Sequence, residues 1–332
     1  MTESPTKPPR SLVSEDEVRL AYRLILGREP ENDTVVQEKA GSVSTLEELR
    51  ADLITSAEFS NQHLKVPSVC VSGVEPKLTI ETADDFDQSA LAPLFSRVKQ
   101  SWSQLGDEEP FWSVWTDDRF KGRDLGKHHA EFFESGSVHL DYLVKTLERN
   151  GIQRNRLRTC LELGCGVARF TPFLASAFDF VHAYDVSHGH LRIAQSVLSN
   201  AGVQNVECRL LEDPQDFHHL PQVDLVYSLV VLQHNPPPLI EWMLQGMLSA
   251  LSPGGVAYFQ VPTYLKNYSF RLADYLNSPP RSDELEMHAI PQSRVFRLVQ
   301  KNHCEVVEVL EDGWTIPEIG NRSNTFVVAK AE

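Results

Sequence analysis

Arg158 to Leu174 read RTCLELGCGVARFTPFL, an apolar run that breaks at two glycines and resumes with helical spacing. Leu161 and Leu163 flank Glu162 in a segment of buried-strand character, and Gly164 and Gly166 permit a tight bend that a side chain would obstruct. Ala168 is small enough to keep the following helix close to the sheet, and the helix start offers free backbone N–H groups to a ligand. Strand, glycine turn and helix in this order make a nucleotide cradle. Dinucleotide-binding dehydrogenases and plain tight turns share the pattern, so the neighbouring sequence has to separate them.

A second strand-like run, Phe180 to Tyr184, ends in Asp185, where a carboxylate can accept both ribose hydroxyls of an adenosine. A nicotinamide-binding fingerprint wants a third glycine where Arg169 stands, so that helix and strand close around a pyrophosphate. Arginine there argues against that reading. Glu162 instead places a carboxylate near the turn, where it can meet a cationic ammonium.

Glu162-Leu163-Gly164-Cys165-Gly166-Val167-Ala168 followed by Tyr184-Asp185-Val186-Ser187 resembles the S-adenosylmethionine-dependent methyltransferases of the Rossmann-like class. Asp224 to His234 resembles that family's fourth strand and its substrate-facing end, and Leu251-Ser252-Pro253-Gly254-Gly255 resembles its turn into the fifth. The resemblance runs from Arg158 to Glu332. It implies an α/β fold, a seven-stranded Rossmann-like sheet with helices on both faces and an antiparallel last strand. It further implies a cofactor, S-adenosyl-L-methionine, held by Glu162, Gly164, Cys165, Gly166, Asp185 and Val186, with Ser228 and Leu229 near the sulfonium. Adenine recognition is expected at the end of the third strand from Glu212 or Asp213, although Leu211 replaces the small residue usual before the acid. The product is S-adenosyl-L-homocysteine, and no metal is expected.

The 332 residues exceed a usual single domain, and 41% hydrophobic with 23% charged content is ordinary for a globular protein. Against 46 acidic residues stand 31 basic ones; a formal charge of -15 discourages nucleic acid and anionic membranes as partners. Cys70, Cys160, Cys165, Cys208 and Cys304 lack metal-ligand spacing and read as reduced thiols. No signal core opens the sequence and no run of about 18 apolar residues occurs, so a cytoplasmic location without membrane insertion is expected.

The domains read as a helical module over 1–66, a linker and leading helix over 67–106, and the catalytic domain over 107–332. In the first, Ser14 and Glu17 form a capping box ahead of Val18, Ala21, Tyr22, Ile25 and Leu26, and Gly27 ends the helix. After a polar turn, Ser44 and Glu47 suggest a second cap, followed by Leu46, Leu49, Leu53 and Ile54 on one face. Tyr22 to Pro30 with Ser56 to Phe59 resembles a small bacterial helical domain of unknown function often attached to cell-surface glycan enzymes. A small all-α domain that docks a protein partner or stabilises the enzyme is the expectation. Pro67, Gly73 and Pro76 mark the linker, with a short extended piece.

Strands are expected at Val206 to Leu211, Val223 to Leu229, Val256 to Pro262, Val306 to Leu310 and Thr325 to Val328, with an insertion over Thr263 to Pro291. Met243 and Met247 read as core. Phe111 to Phe120 is dense in aromatics that line an acceptor pocket or fill the core. Methyl transfer from a sulfonium needs chiefly alignment, and a base helps when the acceptor is a hydroxyl. His234, placed by analogy beside the methyl group, is the first candidate base, with a loop cap as its alternative; His288 is the second. Leu232 to Tyr264 resembles bacterial enzymes of surface polysaccharide synthesis, so a saccharide or other small-molecule hydroxyl is the expected acceptor. A noncatalytic scaffold with a vestigial pocket and a nicotinamide-dependent dehydrogenase are the competing readings.

Overall fold

The computed structural model describes residues 13–56, 58–59, 78–85, 87–279, 285–314 and 320–332; Cys70 and most of the expected linker lie outside them. The chain divides into two compact units, Met1–Val71 and Ser72–Glu332.

In the first unit Ser14 caps helix α1 (Glu15–Ala21) reciprocally with Glu17, as the capping box predicts. A π turn at Tyr22–Leu26 follows and ends at Gly27, whose φ of 67° favours glycine. The expected polar turn is in fact a helix, α2 (Asp33–Ser42), capped by Asn32. Val36 is its one fully buried residue, so its sequence carries no apolar stripe to read. Helix α3 (Leu46–Ile54) is capped by Thr45, which accepts from the Glu48 N–H, one residue beyond the expected Ser44 and Glu47. Leu46 stays exposed, while Leu49 and Leu53 pack with Val18, Tyr22, Leu26 and Val36. Arg28 pairs with Glu31 at 2.7 Å and with Glu58, joining the two motif pieces.

The second unit carries seven strands in one sheet: β1 (Thr159–Leu163), β2 (Phe180–Asp185), β3 (Val206–Leu210), β4 (Val223–Ser228), β5 (Leu251–Tyr264), β6 (Cys304–Asp312) and β7 (Arg322–Lys330). Their order is β3-β2-β1-β4-β5-β7-β6. The first five are parallel, and β7 inserts antiparallel between β5 and β6. This is the expected Rossmann-like sheet. The strand order reverses at β1, which opens a crevice between the ends of β1 and β4.

Alternate residues of each strand feed opposite faces of the sheet. Leu161, Leu163 and Val226 pack with Leu94 and Phe95 of α4 (Leu91–Glu108), with α9 (Pro237–Ser249) through Met243 and Met247, and with α11 (Gln292–Lys301). Cys160, Leu225 and Tyr227 pack on the other face with Leu143 and Leu147 of α6 (Gly136–Arg149), which follows the short α5 (His129–Glu134), and with Leu174 of α7 (Thr171–Ala177). Strand β5 starts at Leu251, earlier than the expected Val256, because Leu251 already pairs with Val223 and the glycine turn forms an irregularity inside the strand. The closing strands also run longer than expected. The 263–291 stretch includes α10 (Leu272–Asn277) and a two-residue strand, Ser269–Phe270, paired with Thr79–Ile80. Among the described residues no helix is long and apolar enough to cross a membrane.

Helix α4 crosses α8 (His188–Asn200) through two glycines. A Cβ on Gly189 would lie 2.6 Å from the Gly106 carbonyl, a backbone group that cannot yield locally. Gly189→Ala is therefore expected to cost about 1–3 kcal/mol, read as a lowered urea midpoint at unchanged slope. An unchanged midpoint would mean that the crossing tolerates separation.

Candidate functional site

The bend after β1 alternates left-handed residues: Gly164 at φ 79°, Gly166 at 54° and Ala168 at 61°. A Cβ on Gly164 would meet a Val231 methyl at 2.2 Å, and one on Gly166 would meet Val114 at 2.8 Å. Ala168 accepts a strained backbone, roughly 1–2 kcal/mol for a non-glycine. Its methyl is fully buried with Ala194 and Leu198 of α8, so its small size serves that helix rather than α7, which begins only at Thr171.

Asp185 organises the bend. Its Oδ2 accepts from the Gly166 N–H at 2.9 Å and its Oδ1 from the Ser187 N–H at 2.8 Å. Each carboxylate oxygen can accept a second hydrogen bond, so both remain able to take a hydroxyl. His190 lies beneath, with Nε2 2.9 Å from the Ser113 hydroxyl. Gly164 and Cys165 donate to the Tyr184 carbonyl, which leaves the Cys165 side chain buried as a thiol whose pKa burial pushes well up.

Glu162 is 4% exposed, and burial raises its carboxyl to about 7. The Thr171 hydroxyl lies near without completing a hydrogen bond, Asp185 raises the value further and Arg169 lowers it. Oε2 has no partner among the described residues. A buried acceptor in this state calls for a cation with N–H donors. Such a ligand must displace the proton, so its affinity is expected to fall about tenfold per pH unit below 7 and to level off above it. Titration calorimetry between pH 5.5 and 8 reads the slope, which Glu162→Gln is expected to abolish; a pH-independent wild type overturns the assignment.

Glu162, Gly164, Cys165, Gly166, Asp185 and Val186 all border one cavity of about 790 Å³, and His234 closes it from the end of β4. The size suits a nucleoside with part of a second molecule. Val230, a β-branched residue at φ 60°, lines the same wall, its N–H donating to Gln260 Oε1 at 3.1 Å.

His234 is 6% exposed. Its Nδ1 donates to the Glu286 carbonyl at 2.9 Å, so Nε2 is the acceptor and takes a hydrogen bond from Gln233 Nε2 at 3.1 Å. Burial lowers its pKa to about 4, and it stands neutral in the wall. Gln260 donates to Gln233 Oε1 and to Ser323, which fixes the amide's orientation.

Four residues expected at the site lie off the cavity wall. Glu212 and Asp213 are exposed, and Asp213 caps the turn Pro214–His218 by accepting from Gln215; Leu211 and Phe217 face the cavity instead. Ser228 donates to the Leu163 carbonyl at 3.2 Å, tying β4 to β1. His288 is buried behind the wall, 2.7 Å from the Tyr268 hydroxyl, and its N–H donates to the Gln233 carbonyl. The aromatic stretch divides: Trp112 borders the cavity, while Phe111 and Phe120 form a core with Phe132.

Arg169, His139, Trp102 and Trp314 border the cavity without having been singled out for it. In the sequence Arg169 stands out only as the residue that argues against a nicotinamide-binding fingerprint. His139 lies one turn into α6, and nothing local distinguishes it from the other histidines.

A family profile described as a methyltransferase domain matches residues 160–255. No curated protein matches the chain. Among solved structures the chain is similar to magnesium protoporphyrin IX methyltransferase from Synechocystis with bound SAH, at 16% identity over 70% of this chain and 100% of that one, TM-score 0.48. It is also similar to an N-methyltransferase from Bradyrhizobium japonicum in complex with S-adenosyl-L-homocysteine, at 14% identity over 71% and 100%, TM-score 0.46. A third is an S-adenosylmethionine-dependent methyltransferase from Clostridium acetobutylicum, at 13% over 60% and 92%, TM-score 0.44.

Proposed function

We propose that this chain, whose residues 160–255 match a methyltransferase-domain profile, is an S-adenosylmethionine-dependent enzyme that methylates a hydroxyl of a small molecule, a saccharide being the class that fits best. The observation that carries the reading is the pairing, across one glycine bend, of the buried unpartnered Glu162 oxygen with the anchored Asp185 carboxylate. Glu162 is suited to the methionine ammonium and Asp185 to the ribose hydroxyls. Leu211 and Phe217 offer an apolar wall for adenine, with the exposed Glu212 next in the chain.

The bound donor supplies an electrophilic methyl group that needs no further activation. The chain's own task is to hold the acceptor in line and to receive its proton. Trp112 and Trp314 border the cavity, and an indole face is suited to a sugar ring. His234 is neutral, with its Nε2 lone pair toward Gln233; an acceptor hydroxyl replacing that donor at Nε2 would find a base. His288 acts, on this reading, by holding Gln233 through its main chain.

The test is calorimetry with S-adenosylhomocysteine, followed by labelled methyl transfer to a panel of monosaccharides and nucleotide sugars. Absence of heat at millimolar ligand would sink the proposal. His234→Gln is expected to lower turnover at least tenfold while leaving donor Kd within twofold, and the wild-type rate is expected to show no limb near pH 6.5 attributable to this histidine. The amino-terminal unit we read as a docking module for a protein partner in the cytoplasm; Leu20 and Leu24, four residues apart and 52% and 76% exposed, support a contact surface there.

A further inference from the structure

Leu285 and Met287 border the cavity, and the residues that alternate with them turn their side chains elsewhere, Glu286 to Arg97 and Tyr275 and His288 to Tyr268. The main chain of the same stretch holds the candidate base. The Glu286 carbonyl accepts from His234 Nδ1 at 2.9 Å, and the His288 N–H donates to the Gln233 carbonyl at 2.7 Å. Residues 285–290 belong to no helix or strand, so the place of that carbonyl depends on what grips the side chains around it. Arg97 of α4 supplies the grip, with its side chain 10% exposed. Its Nη2 donates to Glu286 Oε1 at 2.8 Å, and its Nη1 donates to the Ser278 carbonyl at 2.6 Å and to the Tyr275 carbonyl. The guanidinium lies 4.0 Å from the centre of the Tyr275 ring, and the hydroxyl of that ring donates to Glu286 Oε2 at 2.6 Å. Burial works against the charge on Glu286, but His288, Tyr275 and Arg97 hold its carboxyl down at about 2, so the ion pair persists wherever His234 is neutral.

Neither Arg97 nor Glu286 borders the cavity, so the pair reaches the chemistry only through the main chain it fixes. We propose that Arg97 is a positioning residue for methyl transfer: by clamping Glu286 it keeps the Glu286 carbonyl on His234 Nδ1–H, which orients the imidazole with Nε2 as its accepting nitrogen. This inference rests on the function proposed above. When Nε2 takes the acceptor's proton the ring becomes a cation, and a carbonyl already facing Nδ1–H stabilises that charged state without rearranging.

The test reads the His234 ring by nuclear magnetic resonance on the full chain with isotope-labelled histidine, its signals assigned by their loss in His234→Gln. In the wild type the Nδ1 proton is expected downfield and slow to exchange, as a hydrogen-bonded imidazole N–H. Arg97→Met and Glu286→Ala are each expected to move it upfield and to speed its exchange with solvent about fivefold or more, the loss of one hydrogen bond. Glu286→Gln still accepts from Arg97 and is expected to keep the wild-type position, with Arg97→Lys in between. A clamp that only stabilises the fold lowers Tm and leaves the resonance unmoved in both variants, which overturns the proposal. A wild-type spectrum with the proton on Nε2 overturns it without any variant having to fold. With a saccharide that the wild type methylates, Arg97→Met is expected to lower kcat about three- to tenfold at unchanged donor Kd, an effect that disappears in the His234→Gln background. Persistence of the loss in that background also overturns the proposal. If S-adenosylhomocysteine gives no heat with the wild type, the function proposed above fails, while the resonance still reports whether Arg97 holds the ring.

Discussion

Replacing Asp185 by alanine is expected to weaken S-adenosylhomocysteine binding by about a hundredfold, the loss of two hydrogen bonds to a charged acceptor. The same carboxylate receives the Gly166 and Ser187 N–H groups, so the variant also leaves two donors of the bend without their acceptor. Asp185→Asn presents an N–H group to one of those donors and is expected to fall between alanine and wild type. Calorimetry reads the affinity, and circular dichroism checks that each variant is folded. An alanine variant that binds within threefold of wild type would remove the ribose contact from this residue.

The second large effect concerns stability. Glu241 on α9 is 3% exposed and holds Arg294 of α11 through two parallel contacts, Oε1 to Nε at 2.5 Å and Oε2 to Nη2 at 2.8 Å. Asp84 takes the remaining Nη1 at 2.7 Å from the solvent side. Glu241→Ala leaves a guanidinium whose side chain is only 17% exposed with the solvent-side Asp84 as its remaining partner, and about 3 kcal/mol of stability is the expected loss, the low end for a buried pair because that exposure and that partner remain. A fall in Tm of roughly 6–12 °C follows for a unit of this size. Asp84→Ala, removing a carboxylate that is 68% exposed, is expected to cost under about 1 kcal/mol. Equal Tm losses in the two variants would contradict this division.

The glycine bend and Asp185 were readable because their constraints are local. Positive φ at Gly164 and Gly166, and a strand ending in an acid one turn from a helix cap, leave marks within a few residues. Helix α2 was missed because one inward valine makes no period, and the Ser44 cap slipped to Thr45 because both residues offer a hydroxyl with a glutamate three positions on. Among the acids after β3, Glu212 and Asp213 were indistinguishable in sequence, and the structure turns both to solvent while Leu211 and Phe217 face the cavity.

The sequence by itself determined the strand–bend–helix unit, the antiparallel last strand implied by its resemblance, and the two carboxylates that flank the bend. Only the tertiary structure decided which histidines reach the cavity and in which protonation state. His234 is set by the Glu286 carbonyl fifty-two residues away, and His139 by Arg169 thirty residues away. The proton on an imidazole follows the partner that its other nitrogen meets, and partners that distant in the chain are chosen by packing rather than by any local pattern.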